Sequence, residues 1–193
     1  MEVLFYRYNS ICEPDIIAIL RRLGHAVSEI TEEMTNKSIG AKAQMDLVAQ
    51  ALKKKPCQAV FSINFFPIVS EVCNIFHIPY ACWVVDCPVM ELYSHSIRNP
   101  WNRIFLFDYA MYEEFHPQNP QGIFYLPLGA DYGRLDSLLA DATEADREKY
   151  SADVSFVGSL YTEKCPYNRL KGDSYLKGYL DGVIEAQLKI YGY

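Results

Sequence analysis

The sequence lacks both of the common glycine-rich phosphate cradles: neither a G-x-G-x-x-G turn nor a Walker A run occurs in its 193 residues. This argues against a dinucleotide-dependent oxidoreductase and against a P-loop kinase. Positive charge is also short, with 18 Lys and Arg against 24 Asp and Glu and a formal net charge of -6. Nucleic acid is therefore not an expected partner. No Cys-x-x-Cys pair occurs among Cys12, Cys57, Cys73, Cys82, Cys87 and Cys165, and His25, His77, His95 and His116 follow no metal-ligand spacing. No metal is assigned. No apolar stretch approaches the roughly 20 residues that cross a bilayer, so no transmembrane segment is expected. Met1 and Glu2 lead straight into an apolar run, without the basic, apolar and small-residue segments of a secretory signal. The expected location is cytoplasmic. There is no internal repeat and no low-complexity tract.

What is present is ordinary globular material, 50% apolar and 22% charged, enriched in tyrosine with 15 copies. Tyrosine combines a flat apolar face with a hydroxyl, which suits sugars and half-buried sheets equally. Strands are predicted at Val3 to Tyr6, His25 to Ile30, Gln58 to Asn64, Ile78 to Asp86, Arg103 to Phe107 and Gly122 to Leu128. Between them lie a helix opened by Pro14 and closed by Gly24, one over Ala41 to Lys55, one from Pro67 to about Phe76, and short helices over Met90 to Arg98 and Tyr109 to Phe115. The strands are apolar throughout instead of alternating. That is the signature of an α/β fold, a Rossmann-like parallel sheet with helices on both faces.

This first domain covers residues 1–140, and the charged stretch 141–152 reads as a linker or linker helix. A new pattern then starts over 153–193, with a strand at Asp153 to Gly158, a polar loop and a helix from Ser174 to Tyr191. This second part is too short for a domain of ordinary size. The apolar positions of its helix, among them Leu176, Leu180, Val183 and Ile184, are spaced three and four apart and call for a partner surface. Self-association through residues 153–193 is one way to supply it.

Ligands of an open parallel sheet sit at the carboxyl ends of its strands. Those ends carry Tyr8, Asn9 and Ser10; Asn64, Phe65 and Phe66; Asp86, Cys87 and Pro88; Asp108 and Tyr109; and Gly129, Ala130 and Asp131. Asn9, Ser10, Asp108 and Asp131 equally suit helix caps. Asp86 is harder to read as a cap, because Cys87 and Pro88 follow it instead of a helical turn. It is the candidate catalytic residue, as a general base toward a hydroxyl or as a hydrogen-bonding ligand of that hydroxyl. Further on, Gly158 directly after the predicted strand, with Ser159, Lys164 and Arg169, forms either a plain turn or a diphosphate-binding loop.

The segments FSINFFP, IPYACWVVDCP, FLFDYAMYEEF, FYLPLGAD and DVSFVGSLYTEKCPYNR, spread over residues 57 to 170, resemble the spore-maturation CgeB-like glycosyltransferases and their N-terminal domain of unknown function, DUF3880. The resemblance implies the N-terminal half of a GT-B fold, in which the first domain holds a sugar acceptor and the second a nucleotide-sugar donor. Transfer there needs no essential metal and no cofactor beyond the donor substrate. It points to Asn64, Asp86, Asp108 and Gly129 along the acceptor-side cleft and to Gly158, Ser159 and Lys164 as the donor-side loop; the strand ends themselves add Asn9, Phe65 and Tyr109 to the acceptor side, and Arg169 joins the loop as a further donor of hydrogen bonds or charge. Most of a donor domain is not in these residues, so the chain alone is expected to be inactive. A stand-alone flavodoxin-like binding module without catalysis is the alternative reading.

Irregularly spaced cysteines inside apolar runs behave as small core residues in a reducing compartment. Mass spectrometry of freshly purified, denatured and non-reduced protein should find six alkylatable thiols; two or more intramolecular bridges would contradict this.

Overall fold

A computed structural model of the chain describes residues 1–159, 162, 165, 167, 170 and 173–190. The chain divides into two units, Met1–Asp141 and Ala142–Tyr193. The first runs β1 (Glu2–Tyr6), α1 (Glu13–Arg22), β2 (Ala26–Ile30), α2 (Glu32–Thr35), α3 (Ala41–Lys54), β3 (Ala59–Ile63), α4 (Pro67–Phe76), β4 (Tyr80–Val84), β5 (Asn102–Leu106), α5 (Tyr109–Phe115), β6 (Ile123–Tyr125) and α6 (Tyr132–Ala140). All six strands lie parallel in one sheet of order β2-β1-β3-β4-β5-β6. The chain steps outward from β1 to β2, then returns past β1 to β3. The strand order therefore reverses between β1 and β3.

The apolar strands fill cores on both faces. Leu4, Tyr6, Val60, Tyr80, Cys82, Val84, Ile104 and Leu106 meet Val48 and Leu52 of α3, Val69, Val72 and Cys73 of α4, and Met111 and Phe115 of α5. On the opposite face Phe5, Phe61, Ile63 and Trp83 meet Ile16, Ile17 and Leu20 of α1. Farther along that face Phe105 and Phe124 stack with ring centroids 5.4 Å apart, and Phe5 and Phe61 form a tilted pair at 5.3 Å. Among the described residues no helix is long and apolar enough to cross a membrane.

Proline and left-handed residues punctuate the helices. Pro14 and Pro67 occupy the first turns of α1 and α4, where a missing N–H costs nothing. His77 closes α4 in the left-handed conformation, φ 56°, with its ring against Trp101. The segment Met90 to Arg98 forms two 3-10 turns, Met90–Tyr93 and His95–Arg98, instead of the expected helix. β6 stops at Tyr125 short of the expected Leu128; Leu126 N still donates to Leu106 O at 2.9 Å, and Pro127 then has no N–H to continue the ladder. The helices α2 and α6 are not anticipated by the sequence reading.

In the second unit α7 (Glu144–Tyr150) opens on a capping box between Thr143 and Asp146, and α8 (Ser174–Gln187) opens on Asp173, whose carboxylate accepts from Leu176 N at 2.7 Å. The strand expected over Asp153 to Gly158 is not there. Val154, Phe156 and Val157 are exposed, and no neighbouring strand is present among the described residues of this unit to take the backbone hydrogen bonds that make an apolar run a strand. Tyr191 lies outside the described residues.

A buried polar knot fixes the 3-10 turns to the sheet. Asn102, fully buried on β5, donates from Nδ2 to the carbonyls of Ser96 (2.7 Å) and Ile97 (3.2 Å) and accepts at Oδ1 from Ser70 Oγ (2.7 Å). Asn102→Ala strands these partners without water, so chemical unfolding should show a loss of about 2–3 kcal/mol with an unchanged denaturant slope.

Candidate functional site

The loop from β1 to α1 is organised by a carboxylate that the sequence reading passed over. Glu13 is fully buried, accepting from Tyr8 N at 2.8 Å with Oε1 and from Asn9 N at 3.2 Å with Oε2. Arg7 Nε also donates to Oε2, at 3.0 Å, and Arg7 Nη1 reaches Glu29 at 2.6 Å. The charge of Glu13 is thus matched by one guanidinium and two amides, the condition under which a buried carboxylate is tolerated. Held this way, Asn9 adopts φ 74°, and Ser10 Oγ accepts from Cys12 N at 3.4 Å.

Across the strand-order reversal, β3 is followed directly by Asn64, also left-handed at φ 58°. Its backbone N donates to Trp83 O at 2.9 Å, and its side-chain Oδ1 accepts from Val85 N at 3.0 Å. The side chain thus supplies the next rung of the ladder to β4. Nδ2 then donates to Tyr8 OH at 2.8 Å and to Asp86 Oδ2 at 2.6 Å. One amide therefore links the ends of β1, β3 and β4. Burial pushes the Tyr8 phenol above its ordinary pKa, and the nearby Asp86 charge adds to it, so the hydroxyl stays protonated.

Asp86 is exposed and borders two clefts. The larger, about 630 Å³, has Ser10, Ile11, Asp15 and Ile16 on one side and Trp83, Leu128, Gly129 and Arg134 on the other. The smaller, about 280 Å³, includes Tyr8, Asn64, Phe65, Phe66 and Glu91. Trp83 is pinned by its indole N–H to Leu126 O at 3.3 Å, and a side chain at Gly129 would stand 4.0 Å from the tip of that indole. Across the larger cleft Arg134 pairs with Asp15 through Nε and Oδ1 at 2.8 Å and through Nη2 and Oδ2 at 2.9 Å.

The structure brings Asn64, Asp86 and Gly129 to these clefts, together with Phe65, which lines the smaller one while 1% exposed and packed on Tyr80. Asn9 stays exposed on the loop beside them. Asp108 and Tyr109 stand apart from both clefts: Asp108 caps α5, accepting from Met111 N at 2.8 Å, and Tyr109 packs edge-on against Tyr125. Asp131 also caps, accepting from Arg134 N at 3.4 Å, yet it lines the larger cleft with Arg22 3.6 Å away. Gly158 and Ser159 belong to the second unit, where a side chain at Gly158 would meet only the tip of the exposed Phe156 ring, at 2.7 Å, which can turn aside. Lys164 and Arg169 lie outside the described residues. Among the described residues no group of three or more His, Cys, Asp and Glu is placed to hold a metal ion.

Sequence reasoning did not single out Glu13, Asp15, Trp83 and Arg134. Trp83, three residues before Asp86 in a strand buried on both faces, was the one readable signal, because so large a side chain is rarely buried whole.

Six parallel strands in this order, with clefts at their carboxyl ends, define an open doubly wound α/β domain of the flavodoxin-like order extended by one strand. No family model matches the chain, and no curated protein does. Among solved structures it is similar to the receiver domain of the sensor histidine kinase PA1611 from Pseudomonas aeruginosa PAO1, determined with a magnesium ion in its active-site cleft. The two are 13% identical, with a TM-score of 0.38 over 72% of this chain and 93% of that one.

If Glu13 organises the β1–α1 loop, Glu13→Ala should lower stability by about 3 kcal/mol, since it leaves Arg7 short of a partner and two amides unbonded. Hydrogen exchange at Tyr8 and Asn9 should accelerate more than in the centre of the sheet. Unchanged protection at both amides would refute this role.

Proposed function

We propose that the first unit is the acceptor-side domain of a two-domain, GT-B-type glycosyltransferase similar to the CgeB-like enzymes, which moves a sugar from a nucleotide-sugar to an acceptor hydroxyl. The observation that carries the reading is Asp86: an exposed carboxylate at the carboxyl end of β4, oriented by Asn64 at 2.6 Å and bordering both clefts. A carboxylate so placed accepts a hydrogen bond from an acceptor hydroxyl and takes its proton as the new glycosidic bond forms. The leaving group is the nucleoside diphosphate of the donor. Asn64 and Tyr8 act on Asp86 by position, through a neutral donor and a hydroxyl that remains protonated.

In this reading the donor is held by a second domain to which Gly158, Ser159, Lys164 and Arg169 contribute, and the 193-residue chain alone lacks transfer activity. Localisation in the cytoplasm, where nucleotide-sugars are made, belongs to the same proposal.

The test uses the longer protein that this reading implies, supplied with UDP- and GDP-sugars. Asp86→Asn should lower transfer by about 100-fold or more, the usual worth of a positioned base, while the melting temperature stays within a few degrees. Equal rates in both proteins remove Asp86 from the mechanism. A longer protein that consumes no nucleotide-sugar with any acceptor sinks the whole reading.

A further inference from the structure

The larger cleft has a charge pattern that constrains what enters it. Its acidic and basic lining is Asp15, Asp86, Asp131 and Arg134. Arg134, the one cation of that lining, is held by both oxygens of Asp15 at 2.8 and 2.9 Å. Asp131 is occupied as the cap of α6 and faces Arg22. Asp86 has a neutral donor, Asn64, and no cationic partner among the described residues. A phosphate or carboxylate brought here meets surplus negative charge and finds its only cation already paired, which is unfavourable at these separations even in partly screened surroundings.

The remaining lining is of two kinds. Trp83, Ile16 and Leu128 are apolar, with the indole locked in place by Leu126 O. The polar groups include an acceptor, the Asp86 carboxylate, and a hydroxyl, Ser10. A ligand hydroxyl and an ammonium can each donate to Asp86 and to Ser10 Oγ, so this lining disfavours anions and does not separate neutral from cationic ligands. Apolar C–H surface against an aromatic, with hydroxyls at the rim, is the composition of a sugar or cyclitol ring.

We infer that this cleft takes a polyhydroxylated ring without an anionic group, its C–H face against Trp83 and one hydroxyl donating to Asp86. The inference rests on the transfer reading above, and it makes that ring the acceptor.

The 193-residue chain itself serves for the test. Its two tryptophans, Trp83 and Trp101, give two indole N–H signals, and Trp83→Phe assigns them. The chain is titrated with the methyl glycosides of glucose, galactose, mannose and N-acetylglucosamine, and with glucose 6-phosphate, galactose 6-phosphate, mannose 6-phosphate, N-acetylglucosamine 6-phosphate, glucosamine, galactosamine and mannosamine. At least one neutral glycoside should shift the Trp83 signal saturably and leave Trp101 in place. Its phosphorylated counterpart should bind about tenfold more weakly or worse, and Asp86→Asn, with the rest of the spectrum retained, should weaken the neutral ligand by about tenfold.

Tighter or equal binding of the phosphorylated sugars overturns the exclusion of anions and leaves sugar transfer standing with an anionic acceptor, whereas amino sugars that bind as well as the glycosides fit that exclusion. Failure of every neutral glycoside to move Trp83 overturns the site. Failure of the transfer reading shows elsewhere, as the absence of nucleotide-sugar consumption by the longer protein.

Discussion

A parallel sheet ends, at its carboxyl edge, on strands that stop at different heights and leave amides and carbonyls to be satisfied. In this domain that requirement falls on Asn64. Its left-handed backbone turns the chain away from β3 while its N–H keeps the last main-chain rung to β4, and its side chain accepts from Val85 N as a further rung. With its carbonyl oxygen committed to the sheet, the amide nitrogen can only face outward, to Tyr8 and Asp86. The closure of the β3–β4 edge and the aim of the candidate catalytic carboxylate are thus one hydrogen-bonding solution. Asparagine suits the position twice over, since it tolerates positive φ better than most residues and carries a donor and an acceptor on one rigid plane.

Charge is used around this edge and not in the cores. Glu13 is buried only because Arg7 and two backbone amides surround it, and Arg7 is in turn held by Glu29, which Arg21 also contacts. Burial by itself would raise the Glu29 carboxyl, but the hydrogen bonds from Arg7 and Arg21 outweigh it and hold the group below its ordinary pKa. The network therefore supports the loop at neutral pH and weakens as acid protonates it below the usual carboxylate range. Asp15 and Arg134 form a second tie, between α1 and α6 across the larger cleft. In a chain with net charge -6, pairing its cations this way leaves Asp86 as the cleft's uncompensated carboxylate.

Much of the first unit was legible in order of residues alone. The apolar runs around Phe5, Val60, Cys82 and Ile104 became parallel strands because both faces of the sheet are covered, and Pro14, Pro67 and Gly24 marked helix ends through constraints that act within a few residues. Asp108 shows the limit of the same logic: the position at a strand end favours a cap while leaving a ligand role open, and the structure makes it the cap of α5. The run Asp153 to Gly158 shows the opposite limit. Its composition is that of a strand, but a strand is a pair property, and no partner for it is present among the described residues of that unit.

The sequence by itself determined what depends on neighbours along the chain: the alternation of strand and helix, the parallel class of the sheet, and the candidates at strand ends. Only the tertiary structure decided which of those ends meet. Tyr8, Asn64 and Asp86 are separated by 56 and 22 residues, and no local spacing states that one amide will bond the other two. The reason is topological. Ladder hydrogen bonds run across the sheet from strand to strand, so the strand order, with its reversal between β1 and β3, and not the sequence order, chooses the neighbours of each strand end.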